Sequence, residues 1–151
     1  MITELTVECV DGIFLRGKCV KVIEFDMNDS LEVLHRCILA SVKFEDDHLS
    51  QFFVGKAPSP YRENIAVYEA ESDGFYEEDI PSGGYDTTLA EIYPLSSGYN
   101  LYYHFDFGDD WVFSIKKSRK KLCSPEPGIK YPRVIAELGN NPEQYPNLED
   151  W

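Results

Sequence analysis

Large apolar side chains alternate with smaller or polar ones along two runs, Asn100–Phe107 and Trp111–Lys117, with Gly108, Asp109 and Asp110 between them. Alternation with period two in β-favouring residues, broken by a Gly/Asp turn, predicts a hairpin. Directly opposed residues of a hairpin share a face, so parity restricts the register. A three-residue loop sets Phe107 opposite Trp111, Phe105 opposite Phe113 and Tyr103 opposite Ile115, placing six large apolar side chains together. Tyr102, His104, Asp106, Val112, Ser114 and Lys116 then occupy the other face. An even loop mixes the two sets, so the loop is expected to hold three or five residues.

Leu5–Val10 and Cys19–Phe25 read as two further strands around Asp11-Gly12, the second apolar on both faces. The clearest helical period follows: Leu31, Leu34, Ile38 and Val42 at i, i+3, i+4 spacing, with Asp29 as N-cap and Glu32 three residues on. This helix is expected to end near Phe44, with His35 at the boundary of its apolar stripe. His48–Val54 and Ile65–Ala70 read as strands. Glu69 to Asp86 is acidic and free of Lys and Arg, which predicts an exposed loop. Thr88-Leu-Ala-Glu91 is a capping box that starts a short helix stopped by Pro94, and in the Pro-rich tail only Arg133–Leu138 suggests a strand.

These elements predict an α+β fold: a twisted, mainly antiparallel sheet packed by one long and one short helix, opening strand-strand-helix-strand as a β-grasp roll does. The length, 151 residues, suits one domain spanning 1–151 with a core of its own.

A formal charge of -13 changes the choice of partner. Such a field repels phosphate backbones and disfavours nucleic acid. No apolar run reaches transmembrane length, and no basic stretch followed by an apolar one opens the chain, so a cytoplasmic protein without a membrane partner is expected. Cys9, Cys19, Cys37 and Cys123 form no C-x-x-C pair and are expected as reduced thiols. Lys116, Lys117, Arg119, Lys120 and Lys121 form the one basic cluster; it lacks interleaved aromatics, and lysines at a strand's end also block edge pairing.

Three segments together carry a family likeness: SLEVLHRCILASVKFEDDHLSQF, YHFDFGDDW and YPRVIAELGNNPEQYP. In this order they resemble the plasmid pRiA4b ORF-3-like family over nearly the whole chain, a family with no established activity. The resemblance carries over to His48, Leu49, Phe52, Tyr103, Asp106, Phe107, Gly108, Asp109 and Trp111. Phe113 stands where many relatives have histidine, and Asn141–Pro146 replaces their P-P-E-D-x-G-G segment.

No P-loop, G-x-S-x-G or H-E-x-x-H occurs, and Asp106-Phe-Gly108 lacks every other kinase motif. The leading expectation is therefore a non-catalytic binding or regulatory module with a protein partner and no cofactor. Its binding surface is expected at His48, Tyr103, His104, Asp106, Gly108, Asp109, Asp110 and Trp111. The alternative is a metal-dependent hydrolase in which Asp106, Asp109, His104 and His48 hold a divalent ion that activates water. Against it, aspartates favour turns because their side chains bond the local backbone.

Overall fold

β1 (Ile2–Asp11) and β2 (Cys19–Asp26) pair antiparallel in the computed structural model, which describes residues 1–70 and 82–150. Alternate residues of β2 (Cys19, Lys21, Ile23, Phe25) are buried on its core face. Lys21 finds partners there, with Nζ 2.9 Å from Glu137 Oε1 and 2.5 Å from Asn141 Oδ1.

Helix α1 (Leu31–Val42) buries the predicted stripe, joined by Leu39 and His35. Its N-cap is Ser30 rather than Asp29: the Ser30 Oγ accepts the Val33 N–H at 3.4 Å, while the Asp29 carbonyl accepts the Leu89 N–H at 3.1 Å. The helix ends where Lys43 turns left-handed at φ 60, freeing the Phe44 N–H to reach the Leu39 carbonyl at 2.9 Å. The remaining elements are β3 (Ser50–Gly55), β4 (Ala66–Glu69), β5 (Ser82–Gly84), α2 (Leu89–Ile92), β6 (Asn100–Phe105), β7 (Trp111–Lys117), β8 (Arg133–Gly139) and a 3-10 turn, Leu148–Asp150. At the start of α2 the Thr88 N–H donates to Glu91 Oε2 at 3.3 Å, as a capping box requires.

The strands form one mixed eight-stranded sheet in the order β5-β4-β3-β6-β7-β1-β2-β8, antiparallel except for the β4–β5 pair. This overturns the expected α+β layout. The helices hold 12 and 4 residues, so neither is long, and the sheet dominates the chain. Nor does β3 return beside β1 as a β-grasp opening requires. The β6–β7 hairpin separates them, with β6 pairing β3 and β7 pairing β1. It does so because the hairpin carries unpaired backbone on both flanks and bulky apolar residues on its core face, and a sheet interior satisfies both. β7 is thus an interior strand, so the lysines at its end guard no sheet edge.

The hairpin loop holds five residues, Asp106–Asp110, and pairs Phe105 with Trp111, Tyr103 with Phe113 and Leu101 with Ile115. Parity holds while every predicted partner shifts by two. Leu101 takes the place expected for Phe107, which leaves the core. All six side chains of that face are buried against the stripe of α1 and the Leu89 of α2. Phe44 meets the Trp111 ring edge-on, with centroids 5.0 Å apart. On the opposite face Phe53, Tyr102 and Val112 form a second, smaller cluster, with Phe53 and Tyr102 stacked at 5.1 Å. Gly12 is required where β1 ends: a Cβ there would lie 2.3 Å from Trp111 Cε3, and its φ is +154.

Of the acidic run, Glu69 ends β4 and Asp86 follows β5; Glu71, Asp73, Glu77, Glu78 and Asp79 lie outside the described residues. Among the described residues no helix is long and apolar enough to cross a membrane. All four cysteines are unpaired.

Candidate functional site

Asp106 leaves the strand at φ 63, a left-handed conformation that aspartate tolerates better than most residues. Its Oδ1 accepts the Gly108 N–H at 3.0 Å and the Asp109 N–H at 3.2 Å, and its carbonyl accepts the Asp110 N–H at 2.7 Å. Asp110 returns the chain to β7 at φ 52. Two neighbouring segments clasp the loop: the Asp106 N–H donates to the Leu49 carbonyl at 2.9 Å, and the Ile13 N–H to the Asp109 carbonyl at 3.0 Å. Backbone bonds thus hold the turn on both flanks and aim the Asp106 carboxylate.

The two histidines serve opposite sides of this turn. His104, almost fully buried on β6, donates from Nε2 to Asp110 Oδ1 at 2.7 Å, which leaves Nδ1 to accept from Gln51 Nε2 at 3.3 Å. Burial lowers its pKa from 6.5, and the hydrogen bond and charge of Asp110 oppose that shift. The Tyr61 hydroxyl also donates to Asp110 Oδ1, at 2.6 Å, and this bond first, then burial, pushes its pKa up to about 12. Phe107 stacks on the His104 ring at 4.6 Å.

On the other side, His48 Nε2 lies 3.3 Å from Asp106 Oδ2, 2.8 Å from the Tyr145 hydroxyl and 3.7 Å from Asp47 Oδ1. The Tyr145 hydroxyl donates to Asp47 Oδ2, which raises the tyrosine's pKa ahead of any effect of burial. Gln144, buried, staples this corner: its Nε2 reaches the Glu45 carbonyl at 3.1 Å and Asp47 Oδ1 at 3.2 Å. Asp109 completes the group with its pKa raised, by burial first and by the charge of Asp106 second.

Six of the eight expected binding residues thus gather at the turn: His48, His104, Asp106, Gly108, Asp109 and Asp110. Tyr103 and Trp111 do not join them, being fully buried core residues. Tyr103 instead hydrogen-bonds His35 Nδ1, whose Nε2 lies 2.9 Å from Asp46 Oδ2, a chain of contacts beneath α1. The four metal candidates do not converge: His104 pairs with Asp110, which is not one of them, while His48 lies beside Asp106, and Asp109 feels the charges of Asp106 and His48. Among the described residues, no group of three or more His, Cys, Asp or Glu is arranged to hold a metal ion. Asp47, Tyr61 and Tyr145 are the site residues that sequence reasoning missed. Two sit in loop or tail segments with no periodic signal, and Asp47 lies in the acidic run Glu45-Asp46-Asp47 just past the expected helix end near Phe44.

Residues 15–145 match the family of the Plasmid pRiA4b ORF-3-like protein, most of the chain. The chain belongs to that family. The family match takes in the turn, both flanking histidines and Tyr145. A comparison with curated proteins finds no match. Among solved structures the family member resembles a protein of unknown function, MM3350, from Methanosarcina mazei Go1, with a TM-score of 0.67 and 20% identity. That likeness covers 90% of this chain and 68% of the other, and at this identity it speaks for the fold.

Proposed function

We propose that the protein is a non-catalytic binding module whose recognition surface is the Asp106–Asp110 turn with its flanks, and that its partner is a protein carrying a basic patch. One observation carries this reading. Ile13, Leu49, Tyr61, Phe107 and Tyr145, each bonded to the turn or its flanking residues or stacked on them, are all exposed, from 41% for Phe107 to 74% for Leu49. They surround the carboxylates of Asp47, Asp106, Asp109 and Asp110. Exposed aromatic and apolar side chains set among charged ones suit a protein-binding surface, and Tyr61, Phe107 and Tyr145, held by contacts of their own side chains, lose little entropy on binding. The acids select a basic partner and speed encounter.

The hydrolase alternative draws no comparable support. Asp106 Oδ1 is occupied by two N–H groups, and the histidines face apart across the turn.

Affinity capture with the wild type and a Leu49→Ala/Phe107→Ala variant, followed by cross-linking, tests the reading. Both side chains are exposed, so the variant keeps the fold. The expected result is a basic protein cross-linked near residues 47–49 and 106–110 and lost with the variant. A partner retained equally by the variant, or cross-linked elsewhere, sinks the reading.

A further inference from the structure

At the opposite end of the β6–β7 hairpin lies a groove of about 700 Å³, separate from the turn and independent of its proposed role. That volume falls within the roughly 300–1,000 Å³ usual for small-ligand sites. Lys116, Lys117 and Arg119 line it, with no Asp or Glu among the lining residues. In a chain with 27 acids against 14 Lys and Arg, three cations without an acid is a strong local departure from the whole. Among the described residues none of these three forms an ion pair.

The remainder of the lining is not bare surface. Met27, Ile115 and Leu122 give it an apolar floor, and Tyr93 and Tyr99 give it aromatic walls. The Tyr93 hydroxyl is buried without a hydrogen-bond partner, the kind of atom for which a native interior normally finds a water or ligand. Ser96, Ser97 and Ser118 add hydroxyls at the mouth. Cations and hydroxyls suit phosphate oxygens, with Arg offering a planar fork and Lys a point charge. Tyrosine and aliphatic surface beside them suit a planar, weakly polar body.

We propose that this groove binds a small phosphate-bearing ligand with a planar body, the chemistry of a nucleoside polyphosphate. A small ligand is favoured over a nucleic-acid strand by the protein's own field. Its charge stays within one screening length, about 8 Å, of the three cations. A strand leaving the groove would run along a surface of net charge -13.

Calorimetric titration of the full chain at physiological ionic strength with metal-free ATP, pyrophosphate, adenosine and a short single-stranded oligonucleotide tests this. ATP is expected to bind at least about tenfold tighter than pyrophosphate or adenosine, since each supplies only half of the contacts. Lys116→Gln/Arg119→Gln, at two exposed positions that leave the core intact, is expected to weaken ATP by about tenfold or more, while Lys130→Gln outside the groove leaves it unchanged. Amide NMR shifts on ATP addition are expected in residues 93–100 and 115–122. The proposal is overturned by no ATP binding, by equal binding of pyrophosphate, by an unaffected double variant, or by shifts centred on residues 106–110. Tighter binding of the oligonucleotide overturns it in favour of single-stranded nucleic acid.

Discussion

Asp106 combines three roles in one side chain: it accepts two turn N–H groups, tolerates φ 63 and faces His48 with its second oxygen. Asp106→Ala leaves those N–H groups in a partly buried turn without acceptors, so it is expected to cost about 1–3 kcal/mol. Asp106→Asn keeps an oxygen at the Oδ1 position and is expected to cost less than about 1 kcal/mol. Denaturant unfolding of both variants checks this; equal losses mean that charge, not turn geometry, is what the site needs. His104 gives a pH dependence with a definite sign. Its folded pKa is lowered from 6.5, so the unfolded chain binds the proton more readily. The contribution is fully present above the unfolded value and is lost as pH falls from there through the folded one. The melting temperature should therefore drop as pH falls below 6.5, and drop less in His104→Gln, which keeps a donor toward Asp110. A variant that loses as much as the wild type below that pH places the titration elsewhere.

Among the elements, α1 offers the clearest prediction. Its left-handed C-terminal residue is Lys43, at φ 60, where glycine carries no Cβ penalty. Lys43→Gly is expected to stabilise the protein by about 0.5–1 kcal/mol, and an unchanged or lower unfolding midpoint refutes it. The helix itself was legible because its stripe repeats locally. So were the two faces of the β6–β7 hairpin, since alternation alone assigns them. Alternation also limits the loop to three or five residues, but not which: five form because Leu49 and Ile13, distant in sequence, clasp Asp106 and Asp109, and no local rule contains those contacts. Strand order was hidden for the same reason. β5 is Ser-Gly-Gly, with no apolar period to find, and the β3–β6 and β7–β1 ladders depend on which flanks meet. At the turn, the D-F-G-D-D run marked the place, but Tyr145 meets His48 from 97 positions away. Phe107 was assigned to the core because a three-residue loop would have put it there; the longer loop stacks it on His104 instead.

Over the whole molecule, charge is sorted along the β6–β7 hairpin. Its turn end carries Asp106, Asp109 and Asp110 beside Asp47, and its other end carries Lys116, Lys117 and Arg119. Strands of six and seven residues hold these ends roughly 20 Å apart, beyond the screening length at physiological salt. Opposite partners at the two ends would thus interfere little with each other. The acidic excess, a net charge of -13, repels itself in the folded state. Among the described residues the ion pairs that oppose this are few. Lys21–Glu137 joins a buried amine to an exposed carboxylate and is screened only in part, while Arg36–Glu32 is an exposed i, i+4 pair that contributes little. Repulsion should therefore outweigh attraction in the response to salt. Raising NaCl from about 10 mM to about 150 mM is expected to raise the melting temperature. Lys116→Gln/Arg119→Gln, which makes the net charge more negative, should steepen that rise. A melting temperature that falls with salt means that attractive pairs dominate and that the acidic surface is neutralised within the fold.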